Sequence, residues 1–245
     1  MVVTQAVLLA AGRGTRLGAL TESFPKAMLE VGGAPILHRI IQALARAGVR
    51  EVFVVTGHAA EALELGTGDG SRWAVSIRYL RQETLDGTAS ALLLARPSLG
   101  PEPFFCGWGD IVVEAANYAR VLGAAEAAGG ALAVNLVDDP YLGAAVYVDG
   151  DGYVSRIVEK PAKGSSTTRW NNAGLAVLPA GIWPFIDSLR PSSRGEYELP
   201  QAVAAFVAAG GRLRAVEVEG PWFDVGTPES LEAARRHFDA PAPGD

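Results

Sequence analysis

Apolar and polar residues alternate along the first half of the chain in blocks that are typical of buried strands and amphipathic helices. Short apolar runs predict strands at residues 6–10, 51–56, 76–80 and 104–108. Helical spacing of apolar residues predicts helices at residues 36–47, 88–95 and 118–128. Strands that alternate with helices favour a sheet covered by helices on its faces, so the predicted fold class is α/β.

The pattern changes after residue 131, where a β-rich insertion is expected. Predicted strands at residues 144–148 and 153–158 flank Asp149-Gly-Asp-Gly152, whose Asp-Gly pairs are strong hairpin-turn signals. Farther on, the pattern predicts a helix at 199–209, a strand at 212–219 and a helix at 228–238 with Thr227 as its N-cap. We expect one domain over residues 1–238 and a flexible tail at 239–245.

Composition narrows the classes of function. The 245 residues are 49% hydrophobic and carry a net charge of −6, with no basic run longer than Arg235-Arg236. This balance argues against a nucleic-acid partner or an acidic membrane surface but allows a small basic pocket. Cys106 is the only cysteine, so an intramolecular disulfide is excluded and a reducing cytoplasm fits. The apolar run at residues 6–11 is far shorter than a membrane helix of roughly 20 residues, so we expect no membrane span.

A glycine-rich loop follows the first predicted strand. It reads Leu9-Ala-Ala-Gly12-Arg-Gly14-Thr15-Arg16-Leu17, and Pro25-Lys26 comes shortly after it. Small residues let the backbone approach a phosphate chain, Arg16 can clamp phosphate oxygens, and Lys26 supplies a movable charge. Leu17 stands where a dinucleotide fingerprint needs its third glycine, and the chain has no Gly-Lys-Ser/Thr motif. The alternative is that the glycines only permit a tight turn.

Two aspartates far apart in the chain are candidate metal ligands. Asp110 follows the predicted strand at 104–108, and Asp224 follows Pro221-Trp222-Phe223. Because ligands bind outside the carboxyl ends of strands in α/β sheets, the two carboxylates could meet at one edge. Mg²⁺ usually takes one or two carboxylates together with substrate phosphates. The alternative is that each aspartate caps a helix or starts a turn.

These residues resemble the signature of the nucleotide-sugar pyrophosphorylases, or sugar-1-phosphate nucleotidyltransferases, and most closely the glucose-1-phosphate thymidylyltransferases. The resemblance covers about residues 4–236. Its further blocks, in the family's order, are Gly68-Asp-Gly-Ser-Arg-Trp73, Gln82-Glu-Thr-Leu-Asp86-Gly87, Trp108-Gly109-Asp110, Glu159-Lys160-Pro161, Pro191-Ser-Ser-Arg-Gly-Glu196 and Trp222-Phe-Asp224-Val-Gly-Thr227. It implies a three-layer α/β/α Rossmann-like nucleotidyltransferase fold with a mixed, mostly parallel central sheet and a small β-rich sugar-binding insertion.

The resemblance also implies a reaction. A nucleotidyl group passes from dTTP or UTP to a sugar 1-phosphate, with glucose 1-phosphate as the first candidate, and pyrophosphate is released. Mg²⁺ bound by Asp110 and Asp224 assists the in-line attack on the α-phosphorus. About residues 1–130 would bind the nucleotide and 131–238 the sugar. The implied catalytic residues are Arg16 and Lys26, the nucleotide-binding residues are Ala10, Ala11, Gly12, Gly14, Thr15, Gln82 and Gly87, and the sugar-phosphate-binding residues are Gly143, Glu159, Lys160 and Asn172. A homo-oligomer is compatible with the resemblance.

Some alternatives stay open at this point. Gln82 can read a pyrimidine edge through its amide, or it can be an exposed polar residue. Glu159 and Lys160 can bind a sugar phosphate or form a solvated pair. Leu142 stands where the thymidylyltransferases commonly carry tyrosine, which puts the identity of the sugar in doubt. A glycosyltransferase with an Asp149-Gly-Asp151 metal motif and a non-catalytic regulatory domain are the rival classes.

Overall fold

The computed structural model describes residues 2–239, which are arranged around one mixed sheet of nine strands. The strands of these residues are β1 (Gln5–Leu9), β2 (Glu30–Val31), β3 (Ala34–Pro35), β4 (Glu51–Thr56), β5 (Ser76–Arg81), β6 (Phe104–Trp108), β7 (Ile111–Val113), β8 (Ala131–Leu136), β9 (Ala144–Val148), β10 (Val154–Glu159), β11 (Trp170–Leu178), β12 (Arg214–Glu217) and β13 (Trp222–Asp224). The helices are α1 (Ile36–Arg46), α2 (Ala60–Thr67), α3 (Thr88–Leu93), α4 (Ala116–Ala128), α5 (Trp183–Asp187), α6 (Leu199–Ala208) and α7 (Pro228–Phe238).

The sheet has a parallel half and a mostly antiparallel half that meet at β6, and within the second half β12 runs parallel to β8. Strands β5, β4, β1 and β6 are parallel neighbours in that order, and β6 pairs antiparallel with the long strand β11. The first half of β11 also pairs with β9, while its other edge pairs with β8, which carries β12. Strands β8 to β12 therefore extend the main sheet, and the expected β-rich insertion does not fold into a separate lobe.

Two hydrophobic cores lie on opposite faces of the sheet. In β1, Leu8 faces the core formed with α1, α4 and α7, whereas Val7 faces the core formed with α3, α5 and α6. The neighbouring strand β4 repeats the alternation with Val52 and Phe53. Strands covered on both faces read as continuous apolar runs, which is why these two were recognisable in the sequence. The three-layer α/β/α arrangement is confirmed.

The predicted bounds of β4, β6, β9 and α7 coincide with those observed, and the other predicted elements differ from the observed ones by one to a few residues. The tail predicted at residues 239–245 falls largely outside the described residues. Asp239 is described, and its carboxylate accepts a hydrogen bond from the Gly32 N–H. None of the described helices combines the length and the apolar character that crossing a membrane requires.

The last helix begins at a capping box that also holds the chain next to Asp224. Thr227 Oγ1 accepts from Ser230 N at 3.3 Å, and Ser230 Oγ accepts from Thr227 N at 3.0 Å. We expect Thr227→Ala to lower the free energy of unfolding by about 1 kcal/mol, because it leaves a helix N–H without its acceptor. Thr227→Ser keeps the hydroxyl and serves as the control in urea denaturation. Equal losses in both variants would contradict the capping role.

Candidate active site

The candidate site lies where the parallel strands β1 and β6 end. Gly109 N donates to Leu9 O at 2.9 Å, so the segments that follow these two strands leave the sheet side by side. The glycine-rich loop follows β1, and Asp110 follows β6 after one intervening residue. The structure thus brings the two predicted motifs together at the edge where ligands bind in open α/β sheets.

The glycine-rich loop presents a row of unbonded backbone N–H groups. Within the part of the chain that the structure describes, the N–H groups of residues 11–14 donate to no acceptor. Gly14 has a left-handed backbone with φ 64°, and its carbonyl accepts from Thr21 Oγ1 at 2.8 Å. Ala10, by contrast, donates its N–H to Val55 O and belongs to the base of the loop. Consecutive free N–H groups form a concavity that suits the oxygens of a phosphate chain.

A short strand pair brings the two aspartates together. In the antiparallel pairing of β7 with β13, Asp224 stands opposite Ile111, and Val225 N donates to Asp110 O at 3.1 Å. Lys26 lies between the carboxylates, with its Nζ 2.5 Å from Asp110 Oδ2 and 3.8 Å from Asp224 Oδ1. The pairing of β13 with β7 is the physical reason why residues separated by more than a hundred positions share one site.

The charged groups of this cluster shift the pKa of Asp224 in opposite directions. Burial raises the pKa of Asp224, and the neighbouring Asp110 carboxylate raises it further, whereas Lys26 and Arg16 lower it. Arg16 reaches this cluster because its guanidinium lies against Gly226, where a Cβ atom would stand 2.7 Å from Arg16 Nη2. Arg16 and Lys26 therefore approach the carboxylate pair from the same part of the chain.

The carboxylate pair has the donor set that a hard divalent cation prefers. Both groups are oxygen donors, and both keep part of their surface open, with 27% of the Asp110 and 47% of the Asp224 side chain exposed. Two carboxylates are as many as Mg²⁺ commonly takes from a protein, since substrate phosphates and water complete its shell. Among residues 2–239 no group of three or more acidic, histidine or cysteine side chains forms a fuller metal cage. The residues present fit a cation that is shared with substrate.

A first cavity, of about 450 Å³, opens beside the glycine-rich loop. We call it the nucleotide cavity because six of the residues predicted to bind the nucleotide line it, namely Ala11, Gly12, Gly14, Thr15, Gln82 and Gly87. Gln82 is 8% exposed, which rules out the exposed-residue alternative, and its Nε2 donates to Gly87 O at 3.1 Å. The amide group is thus held in one orientation, with its Oε1 free of hydrogen bonds to the described residues.

The loop that carries Gly87 is clipped to the segment before α6. Tyr197 N donates to Asp86 O at 2.7 Å, Ala89 N donates to Tyr197 O at 2.9 Å, and Leu199 N donates to Thr88 Oγ1 at 2.9 Å. Gly87 has φ 125°, and a Cβ atom there would collide with the Tyr197 backbone. The glycine is therefore required by this close backbone approach, and the nucleotide-binding role expected for it stays a prediction.

A second cavity, of about 250 Å³, adjoins the first and shares Thr88, Trp108, Asp110 and Glu196 with it. We call it the acceptor cavity. All four predicted sugar-phosphate residues line it, namely Gly143, Glu159, Lys160 and Asn172, and both aspartates reach it. Gly143 O accepts from Lys160 N at 2.8 Å, which fixes the left-handed backbone of Lys160 with φ 43°. The structure therefore brings together the residues predicted for each substrate in two contiguous cavities.

Sequence reasoning missed several residues of the acceptor cavity. Arg194 lines it and forms an ion pair with the buried Glu198, whose Oε1 lies 2.5 Å from Arg194 Nη2. Trp222 lines it as well, and its Nε1 donates to Ala173 O at 2.9 Å. Arg194 and Trp222 stand inside sequence blocks that carry the family resemblance, so the blocks held the signal although neither residue was singled out. Glu198 carried no signal of its own.

Asn171 lines the acceptor cavity and joins neighbouring strands there through its side chain. Its side chain is buried, Oδ1 accepts from Ala144 N at 3.2 Å, and Nδ2 donates to Asn135 Oδ1 at 3.1 Å. A Cβ atom on Gly143 would collide with the same Oδ1 atom. Gly143 therefore allows β9 and β11 to approach closely, while Asn172 uses its Oδ1 to accept from Gly174 N at 3.0 Å.

Nucleotidyl transfer is a reaction between two phosphorylated substrates. The site suits such a reaction because it combines two contiguous cavities, a pair of carboxylates and a loop with unbonded backbone N–H groups. The chain belongs to the nucleotidyl transferase family, whose sequence model, described as "Nucleotidyl transferase", matches residues 5–240. The family resemblance inferred from the sequence blocks is confirmed.

Relatives and a solved structure agree with this membership. The chain is 34% identical to UTP–glucose-1-phosphate uridylyltransferase AglF of Haloferax volcanii over 238 residues, which cover 96% of each protein. It is 32% identical to the bifunctional protein GlmU of Methanococcus maripaludis strain C5 over 95% of this chain, but it spans only 54% of that protein. A putative glucose-1-phosphate thymidylyltransferase from Bacillus anthracis, solved with a sucrose, has the same fold, with a TM-score of 0.87, 24% identity and coverage of 99% of this chain and 98% of its own.

Burial raises the pKa of Glu159 to about 7, although the Lys160 ammonium lowers it. The Glu159 carboxyl group thus binds its proton more tightly in the folded protein than in the unfolded chain, where its pKa is near 4.5. The resulting stabilisation is fully present below that value and is lost as pH rises through 7. We expect the free energy of unfolding to fall between pH 5 and pH 8 by about 2 kcal/mol more in the wild type than in Glu159→Gln. Urea denaturation checks this, with the exposed Glu217→Gln as control, and identical pH dependence in all three proteins would contradict it.

Proposed function

We propose that the protein transfers a nucleotidyl group from dTTP or UTP to a sugar 1-phosphate, with glucose 1-phosphate as the first acceptor to test. The observation that carries the proposal is the contact between the two cavities at Asp110. One cavity is bordered by unbonded loop amides, and the other by Lys160 and Arg194, so each can receive a phosphorylated substrate. The name of one relative, UTP–glucose-1-phosphate uridylyltransferase AglF, supports this choice of substrates.

The reaction requires the protein to position the two substrates and to compensate their negative charge. An oxygen of the sugar phosphate attacks the α-phosphorus and forms the new phosphorus–oxygen bond, while the bond from the α-phosphorus to the oxygen bridging toward the β-phosphorus breaks. Pyrophosphate leaves with the electron pair of that bond. No general base is needed, because the attacking oxygen is already ionised at neutral pH. Holding the two substrates in line and offsetting their negative charge is therefore the main catalytic task.

The residues divide this task between them. Arg16 and the free N–H groups of residues 11–14 would hold the pyrophosphate, and Lys26 would offset charge near the α-phosphorus. Gln82 would recognise the base through its fixed amide, and Lys160 with Arg194 would bind the acceptor phosphate. Asp110 and Asp224 would hold Mg²⁺, which, when bound, supplies positive charge between the phosphates of the two substrates.

The sugar itself is the least constrained part of the proposal. Glu159 is a candidate for accepting hydrogen bonds from sugar hydroxyls, and its partly protonated state near neutral pH allows it to donate one as well. Leu142, the departure from the thymidylyltransferase pattern, is 75% exposed and does not line the acceptor cavity, although Gly143 beside it does. Its effect on the choice of sugar would therefore act through the segment around Gly143.

The rival enzyme class loses support from the structure. Asp149 Oδ1 accepts from Asp151 N at 3.0 Å and from Tyr153 N at 2.8 Å, which are the hydrogen bonds of the turn between β9 and β10. Neither aspartate lines the two cavities. The motif of a glycosyltransferase metal site is therefore matched only by letter, and we propose no second function. We place the reaction in the cytoplasm, because the only cysteine is a buried thiol that suits a reducing compartment.

The proposal predicts that Asp110→Asn lowers turnover by at least ~100-fold, because one of the two carboxylates that would hold Mg²⁺ is lost. Pyrophosphate release is measured with Mg²⁺ over UTP, dTTP, CTP, GTP and ATP crossed with several sugar 1-phosphates. Asp138→Asn is the matched control, since Asp138 is fully exposed and pairs with Arg169. Near-normal turnover of Asp110→Asn at saturating Mg²⁺ would overturn the assignment. A folded wild-type protein that is silent over the whole grid would indicate a binding role instead.

A further inference from the structure

The nucleotide cavity is poor in positive charge for a site that receives a polyphosphate. Arg13 is the only basic residue among the described residues that line it, whereas Asp110 and Glu196 line it with negative charge. Helix N-termini and free amides supply partial charges, but they do not neutralise a chain of ionised phosphates by themselves. Among the described residues that line this cavity, Arg13 is the one whose side chain brings a full positive charge to it.

The two basic residues of the predicted motif are engaged elsewhere. Lys26 is held by both aspartates, at 2.5 Å and 3.8 Å, and is largely buried. The Arg16 guanidinium lies against Gly226, on the side of the cluster where Asp224 stands. Neither residue lines the nucleotide cavity. The positive charge that both contribute is therefore directed to the carboxylates and the reacting centre.

Arg13 has no structural task that would explain an arginine. Its side chain is exposed, and it forms neither an ion pair nor a hydrogen bond with any residue from 2 to 239. It stands between Gly12 and Gly14 in the row of unbonded N–H groups, so its side chain leaves the backbone next to the anion-binding concavity. A guanidinium offers a planar fork of donors that matches two phosphate oxygens, which a solvated surface position does not require.

We infer that Arg13 binds the β- and γ-phosphates of the nucleoside triphosphate, and hence the pyrophosphate product. The inference rests on the proposed function and deepens it, because it adds a second arginine, on the side of the nucleotide cavity, to the groups that would hold the terminal phosphates. It also separates two tasks within one loop. Arg13 adds affinity for a triphosphate of any base, whereas Arg16 would hold the pyrophosphate from the side of the carboxylates.

The test compares the wild type with Arg13→Ala, Arg13→Lys and the control Arg156→Ala. Arg156 is a matched exposed arginine, whose guanidinium lies 3.9 Å from the Tyr147 ring centroid, away from both cavities. Binding of inorganic pyrophosphate with Mg²⁺ is measured by calorimetry, and KM is measured for each substrate of the active pair. Thermal melting confirms that all four proteins are folded.

For Arg13→Ala we expect the pyrophosphate Kd and the KM for the triphosphate to rise at least ~10-fold, as for a lost charge-assisted bidentate contact. The KM for the sugar phosphate should stay within about twofold, and the loss should be equal for UTP and dTTP, since both carry the same phosphates. Arg13→Lys should lie between wild type and Arg13→Ala, because it keeps the charge without the fork.

An unchanged pyrophosphate Kd in Arg13→Ala overturns the inference, as does a wild type that binds no pyrophosphate. An equal loss in Arg156→Ala also overturns it, because the effect would then be one of general surface charge. These outcomes are separate from failure of the proposed function, which is a silent wild type in the turnover grid. Pyrophosphate binding is measured without turnover, so the role of Arg13 is decided in either case.

Discussion

The close approach of two carboxylates is the interaction on which the rest of the site depends. Asp110 and Asp224 repel each other, and burial increases the cost of that repulsion. The arrangement persists because the antiparallel pairing of β7 with β13 fixes the backbone and because Lys26 lies between the two side chains. In the proposed function, a divalent cation held by both carboxylates would take over part of the charge compensation that Lys26 supplies.

The sheet determines where this pair stands. Strand β6 lies between β1, which leads into the glycine-rich loop, and the long antiparallel strand β11. Along one edge, β11 pairs with β6 at residues 175–178 and with β9 at Asn171, so its partner changes where β6 ends. On its other edge, the pairing of β11 with β8 is interrupted by a bulge between Asn172 and Ala176. Gly174 lies in this bulge with φ 82°, and a Cβ atom there would meet the Trp108 ring at 2.6 Å. The acceptor cavity occupies the space that this change of partner opens.

Much of this could be predicted from the sequence, and the failures have physical causes. Strands buried on both faces, such as β4 and β6, read as apolar runs, and Thr227 with Pro228 marked the start of α7. Strand β11 was missed because its polar start, Trp170 to Asn172, breaks the apolar run, and these asparagines are satisfied by side-chain networks that no local pattern shows. The site residues were recognisable as family blocks, but ion pairs across distant blocks, such as Lys26 with Asp110, depend on tertiary packing.

The clip between residues 86–89 and residues 197–199 has a consequence for redesign. One segment borders the nucleotide cavity, and the other supports the wall of the acceptor cavity, while three main-chain and side-chain hydrogen bonds join them. Neither loop has an independent conformation that a graft could carry into a new host. A chimaera that imports only one of them would leave unpaired donors at the seam, so loops of altered substrate preference have to be exchanged as a matched pair.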